Sequence, residues 1–337
     1  MKPEARLIVR APNWLGDAVM ALPALAAVRR AYPSSTIVVA ARAGVAPLFR
    51  ERTAAAPNDV VTVDERGEAG QLRALDADAV LLLPNSFRSA WLTRLAGIRE
   101  RWGFRTSGRA WLLTRGVPRP QGSGRPLHQV QYYRELVRGL GIEPGDDAVP
   151  LVTPVSTTLE KADALLRRSG ISQGERITGF APGAAYGTAK QWPPDRVARV
   201  IEALARSGTT SVLVGAAGDR DTGRAIESAM SPGARLINLI GRTSLGELIG
   251  VVARCAAFVS NDSGAMHVAG ALGVPVTAIF GPTDERVTAP AAAGPADVIV
   301  RDVFCRPCLL RECPIDHRCM KRIDVDTVLK SVSAHLG

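Results

Sequence analysis

Short apolar runs alternate with amphipathic stretches along most of the chain. Residues 7–9, 37–40, 60–63 and 80–83 are too short for helices and rich in branched side chains, so they predict buried strands. Residues 18–30 and 68–75, lying between them, carry apolar side chains at helical spacing. The second half repeats the rhythm. Strands are expected at 177–181, 211–214, 236–239, 257–260, 274–280 and 298–300, with helices at 195–206, 222–230, 245–253 and 263–271. Strands alternating with helices imply right-handed βαβ crossovers and parallel sheets, hence an α/β fold. Loops rich in Pro and Gly occupy 118–126 and 143–155, and the domain boundary is expected within 145–172. The division adopted is 1–155 and 156–337, two Rossmann-like domains facing a ligand crevice at their strand C-terminal ends.

Composition adds detail to this outline. A chain of 337 residues can bury two cores, and with only 5% aromatics those cores must be built from Ala, Val, Leu and Ile. The 42 basic residues outnumber 32 acidic ones, and only five are lysine. Residues 1–150 hold 21 basic and 14 acidic residues, a surplus of +7, against 21 and 18, or +3, in the remainder. An arginine-rich composition follows from a GC-rich genome; the uneven spread points to an anionic partner. Nucleic acid is disfavoured as that partner, because the aromatics are few and unclustered along the sequence and no recognition motif accompanies the charge. The uncharged run 263–283 is interrupted by glycines, Pro275 and Pro282, so it predicts no membrane span. The run 18–28 follows Asp17, contains Pro23 and precedes Arg29–Arg30, the wrong polarity for export, and a cytoplasmic location is expected.

Three stretches carry candidate chemistry. In Asn13-Trp14-Leu15-Gly16-Asp17 the glycine permits a tight turn and Asp17 falls near a helix N-terminus. It reads either as a plain N-cap or as a base for an acceptor hydroxyl. Pro182 to Pro193 is a Gly-rich βα loop containing Gly183, Thr188 and Lys190; it could bring backbone N–H groups and a lysine to a diphosphate, or be an ordinary connection. In Ser260-Asn261-Asp262-Ser263-Gly264-Ala265-Met266-His267 a strand ends in cap-forming residues before a small-residue helix, which suits an anion. A structural cap with a core histidine is the alternative. The four cysteines Cys305, Cys308, Cys313 and Cys319, with His317 among them, are no secreted disulfide framework. They read as reduced structural thiols ahead of a metal site or a redox role, since no second C-x-x-C follows.

Together these stretches, with Phe280-Gly281-Pro282-Thr283, resemble glycosyltransferase family 9, the lipopolysaccharide heptosyltransferases, over nearly the whole chain. The cysteine tail is most similar to the heptosyltransferase II branch. The resemblance implies a GT-B fold with an N-terminal acceptor domain and a C-terminal donor domain. It implies inverting transfer from ADP-heptose to an anionic lipid A-core acceptor of the heptosyl-Kdo-lipid A type, at the cytoplasmic face of the inner membrane with peripheral contact. Asp17 then matches the general base and Lys190 the lysine that steadies the departing diphosphate. Gly183, Thr188, Asp262, Ser263, Gly264 and His267 match donor contacts, with Asp219 the candidate ribose-binding acid. Asn13, Trp14, Arg101 and Arg105 are expected on the acceptor side, the last two within nine arginines that face one acid, Glu100, between Arg88 and Arg125. No cofactor or metal is expected, although Asp-x-Asp pairs occur at 76–78, 219–221 and 324–326. The competing readings are another GT-B sugar-nucleotide enzyme (heptosyltransferase I or III, an N-acetylglucosaminyltransferase, a UDP-sugar 2-epimerase) and, more remotely, a basic nucleic-acid-binding protein.

Overall fold

The computed structural model describes residues 5–120 and 126–337, so Arg125 lies outside the described residues. The chain divides into two compact units, Met1–Thr153 and Pro154–Gly337. In the first, six parallel strands, β1 (Arg6–Arg10), β2 (Thr36–Ala41), β3 (Asp59–Thr62), β4 (Ala79–Leu82), β5 (Glu100–Phe104) and β6 (Arg115–Val117), pair in the order β3-β2-β1-β4-β5-β6. The second holds β7 (Ile177–Ala181), β8 (Thr210–Leu213), β9 (Leu236–Asn238), β10 (Ala257–Asn261), β11 (Val276–Ile279) and β12 (Ala296–Ile299), in the order β12-β11-β10-β7-β8-β9. Counted from its own first strand, each sheet has the doubly wound order 3-2-1-4-5-6. In each, successive crossovers run to opposite sides of the first strand, leaving a crevice at the C-terminal ends of the first and fourth strands. That switch point falls between β1 and β4 in one unit and between β7 and β10 in the other.

Strands β4, β7, β8, β10 and β11 are buried along their whole length, as parallel strands covered on both faces must be. The sequence hid β5 and β6 because both open on charged residues and run through the arginine-rich segment. Trp102 and Phe104 on β5 and Val117 on β6 are nevertheless buried. The helix expected at 18–30 is two, Leu15–Met20 and Leu22–Ala31, with Pro23 in the first turn of the second. Helices Phe87–Leu95, Gln129–Gly139, Ser156–Arg168 and Val325–Leu336 were not anticipated. The Pro- and Gly-rich connector belongs to the first unit: Arg134 donates to Gly145 O and Asp147 O at 2.6 Å each, and Arg52 forms an antiparallel bridge with Thr153. Among the described residues no helix is long and apolar enough to cross a membrane.

Candidate functional site

In the C-terminal unit the two predicted phosphate-type stretches lie side by side, because they leave the neighbouring strands β7 and β10 at the switch point. Asn261, the last residue of β10, joins them. Its amide nitrogen donates to Pro182 O at 2.6 Å and its oxygen accepts from Trp192 N at 3.3 Å, so one side chain ties both ends of the 182–193 loop. Trp192 is buried and donates its indole N–H to Ile323 O, anchoring the loop in the core. Held this way, Lys190 Nζ lies 2.6 Å from Asp262 Oδ2, with the two side chains only 12% and 6% exposed. The same oxygen accepts from Thr283 Oγ1 at 2.7 Å.

Ser263 is the N-cap of the helix Gly264–Ala271, but its side chain does not cap the helix. Its hydroxyl pairs with that of Ser260 at 3.0 Å. The Ser263 side chain therefore leaves the helix end uncapped, where N–H groups and the macrodipole favour an anion. His267 is buried one turn on. Gly183 faces the loop after β8, where a Cβ would lie 2.1 Å from Asp219 Cγ. Only glycine lets that carboxylate close over the β7 loop. Asp219 Oδ2 also accepts from Ala216 N at 2.9 Å, and its place after the second strand is where a doubly wound fold puts a ribose-binding acid. Thr188 is exposed at the tip of the loop.

The cysteine-bearing tail proves to be part of this site. Ala189 N donates to Arg311 O at 3.0 Å, Tyr186 Oη donates to Leu309 O at 2.8 Å, and Leu309 N donates to Pro282 O at 2.9 Å. Gly187, at φ 156°, admits no side chain because a Cβ would sit 2.2 Å from Arg311 O. The Arg311 guanidinium and Lys190 Nζ lie over the Tyr186 ring, 5.1 and 4.8 Å from its centroid. The four cysteines of the tail are free thiols, and burial raises the Cys319 pKa. Among the described residues no three His, Cys, Asp or Glu side chains are arranged to hold a metal ion.

In the N-terminal unit the N-cap reading of Asp17 is overturned. Trp14 is the N-cap, and Asp17 sits inside the first turn of Leu15–Met20. It is half-buried and near Tyr133, whose hydroxyl burial drives well above its ordinary pKa, the Asp17 charge adding to the effect. Asn13 is oriented from beneath: buried Arg10 donates to its Oδ1 at 2.9 Å and to Glu68 Oε1 at 2.6 Å, and Glu68 in turn meets Arg42 at 3.0 Å. Trp14 is 56% exposed beside it.

Arg101 and Arg105 do not form one patch. Arg101 lies near the start of β5 and is half-buried, donating to Leu112 O at 2.7 Å, Ile98 O at 2.5 Å and Arg99 O at 2.9 Å. Burial lowers its pKa, with repulsion from Arg94 next. Arg105 follows the other end of the strand and is exposed. Nor is the segment a uniformly solvated face. Arg109 is fully buried, donating to Phe104 O at 3.0 Å, to Ser89 Oγ at 3.1 Å and, at close range, to Pro84 O. Burial pulls its pKa down to about 10. Sequence reasoning missed Asn261, Thr283, Tyr186, Arg311, Arg10 and Glu68. Asn261 and Thr283 stood inside the quoted motifs, whereas Arg311 had only its place between two cysteines.

The glycosyltransferase family 9 (heptosyltransferase) profile matches residues 69–318. Lipopolysaccharide heptosyltransferase 2 of Escherichia coli K12 is 34% identical over 298 residues, covering 85% of each chain. Lipooligosaccharide heptosyltransferase 2 of Haemophilus influenzae is 31% identical over 298 residues, 84% of this chain and 85% of its own length. The solved structure of E. coli ADP-heptose lipopolysaccharide heptosyltransferase II superposes with a TM-score of 0.83 at 28% identity, covering 98% of both chains. A family 9 glycosyltransferase from Veillonella parvula has the same fold, with a TM-score of 0.85 at 20% identity over 100% of this chain and 98% of its own. With the paired doubly wound sheets and the site at the second switch point, these matches establish that the chain is a GT-B glycosyltransferase and belongs to family 9, the heptosyltransferases.

Proposed function

We propose that this protein transfers heptose, with inversion, from ADP-heptose to a heptosyl-Kdo-lipid A type acceptor in the inner core of lipopolysaccharide. The observation that carries the donor half is the Lys190–Asp262–Thr283 cluster, set between a Gly-rich loop and a helix end that its N-cap residue Ser263 leaves uncapped. The names of the relatives supply the heptose and the lipopolysaccharide.

In this reading the acceptor hydroxyl attacks the anomeric carbon as the bond from that carbon to the diphosphate oxygen breaks. Its proton passes to the Asp17 carboxylate, and the bonding electron pair leaves with ADP. The charge that develops on the terminal phosphate is met by Lys190, by Arg311 over the same tyrosine ring, and by N–H groups at Gly264 and Ala265. Asp219 takes the ribose, while Asp262 and His267 face the sugar side of the donor. Asn13, oriented by Arg10, and Trp14 contact the acceptor together with Arg105, whose exposed guanidinium suits phosphates and acidic sugars. Arg101 is withdrawn from that role because it is half-buried and its Nε and Nη1 are spent on carbonyls. Fixed cations stand where other transferases place a metal, so activity needs none. The acceptor is a lipid, and the protein works at the cytoplasmic face of the inner membrane through peripheral contact.

Mass spectrometry of products from purified protein, ADP-heptose and a panel of truncated core acceptors tests the reading. The expected result is a single heptose added to an acceptor that already bears one. Transfer from UDP-sugars but not from ADP-heptose would overturn it.

A further inference from the structure

Helix Phe87–Leu95 has its polarity reversed. The face turned to the core carries Ser89, Ala90 and Thr93, all buried. Phe87, Trp91 and Leu95, each one turn after the last, are 41%, 39% and 45% exposed. Trp111, on the turn Ala110–Leu112, is 64% exposed and completes the patch. Its ring lies 6.2 Å from that of Phe87 and 6.4 Å from that of Trp91, and the Phe87 and Trp91 rings stack at 6.3 Å. The aromatics that look scattered in the sequence thus form one exposed plate in the fold. A contiguous exposed apolar surface of this kind marks a contact with something outside the chain.

The charge around the plate says what that something is. Arg94 and Arg99 are exposed beside it, and Arg88, also exposed, donates to Glu65 O. The nearest acid in the segment, Glu100, is engaged by the Trp102 indole at 3.1 Å and the Thr114 hydroxyl at 3.2 Å. An aromatic plate with a cationic rim matches the boundary between headgroups and acyl chains, where indole rings partition and guanidinium groups meet lipid phosphates.

We infer that the Phe87–Trp91–Leu95–Trp111 face seats the N-terminal unit on an anionic bilayer. The inference rests on the lipid-borne acceptor proposed above for its setting, but its test requires no catalysis. Purified protein is sedimented with vesicles of phosphatidylglycerol and phosphatidylethanolamine, and its tryptophan emission is read with lipids brominated in the acyl chain. Wild type should bind, bind less without phosphatidylglycerol, and be quenched by the brominated chains. The Trp91→Ala/Trp111→Ala double variant should partition about tenfold or more weakly and lose that quenching. Its kcat and KM on a delipidated, water-soluble acceptor should be unchanged. Arg94→Glu, which removes no ring and keeps the fold, should weaken binding to anionic vesicles alone.

Equal vesicle binding by the double variant and wild type, or no binding by wild type, would overturn the inference. So would a raised KM for the soluble acceptor with vesicle binding intact, which makes the plate a sugar platform. A loss of self-association with vesicle binding intact would overturn it too, assigning the face to a second copy. Vesicle binding by a protein that transfers no heptose would sink the proposed function and leave this surface standing.

Discussion

If the proposed donor site is right, Lys190 and Asp262 should make opposite contributions to nucleotide binding, and that opposition is a sharp test of it. The pair is nearly buried at 2.6 Å, so at rest the lysine charge is neutralised by the carboxylate. Removing Lys190 leaves Asp262 buried with only the Thr283 hydroxyl donating to its Oδ2. Breaking a buried pair from one side costs about 3–5 kcal/mol, and the surviving hydrogen bond argues for the low end. About 3 kcal/mol corresponds to a Tm roughly 6–12 °C lower for a unit of this size. Lys190→Ala also deletes a charge-assisted contact to the diphosphate worth about 1.5–3 kcal/mol, so ADP should bind about 10- to 100-fold more weakly. Asp262→Asn should lower the unliganded Tm similarly. It removes a negative charge from the lysine's side, however, so ADP should bind as tightly as in wild type or tighter. Turnover with ADP-heptose should fall in both variants. Calorimetric titration with ADP, paired with thermal unfolding, reads all of these. Wild-type ADP affinity in Lys190→Ala would remove the lysine from the diphosphate, and equal losses in the two variants would show that the pair acts only as a structural tie.

Asp17→Asn should cut turnover by about 10²–10⁴, the usual contribution of a general base, and leave ADP affinity unchanged; near wild-type rates would remove it from the mechanism. Arg311→Ala should weaken ADP binding by about tenfold with the Tm held, because its backbone, not its side chain, supports the loop; unaltered affinity would make the residue a bystander. Transfer should persist in excess EDTA, and loss that Mg²⁺ restores would make 219–221 the candidate ligand pair. Arg109→Met should lower the Tm of the N-terminal unit by roughly 6–12 °C, since it strips donors from buried carbonyls; an unchanged Tm would mean those carbonyls find other partners.

Most of the fold is legible because parallel strands covered on both faces carry short apolar runs, and ten of the twelve strands are marked by such a run in the sequence. The two that escaped, β5 and β6, show the limit of that signal. A strand such as Glu100–Phe104 buries only its later residues and begins on charge, so neither a continuous apolar run nor an alternation survives in five residues. The site divides in the same way. The β7 and β10 loops can be read from sequence because glycines and cap-forming residues after a strand have local meanings. Arg311 cannot, because its role comes from a tail that crosses back over the loop 121 positions earlier in sequence, where Lys190 sits. Counting arginines misled for a related reason. The surplus is real as a sum, but Arg10, Arg101 and Arg109 spend their donors on the protein's own oxygens, and only position in the fold separates them from Arg94 and Arg105.

If the site takes a nucleotide-sugar as proposed, its resting state has a functional consequence of its own. A free cationic pocket would bind any diphosphate, or inorganic phosphate, with little discrimination. Here the lysine is paired, the cap hydroxyl is turned to Ser260, and the second cation stacks on Tyr186. A ligand must therefore compete with Asp262 for Lys190, and one bearing only phosphate gains the cation at the expense of crowding a carboxylate. A nucleotide-sugar has hydroxyls to offer that carboxylate once the lysine swings to the diphosphate, so it satisfies both partners of the opened pair. On the proposed function, the ion pair would in this way favour the complete donor over its ADP fragment, which would also be the product that must leave. Selectivity and product release would then both follow from the same 2.6 Å contact.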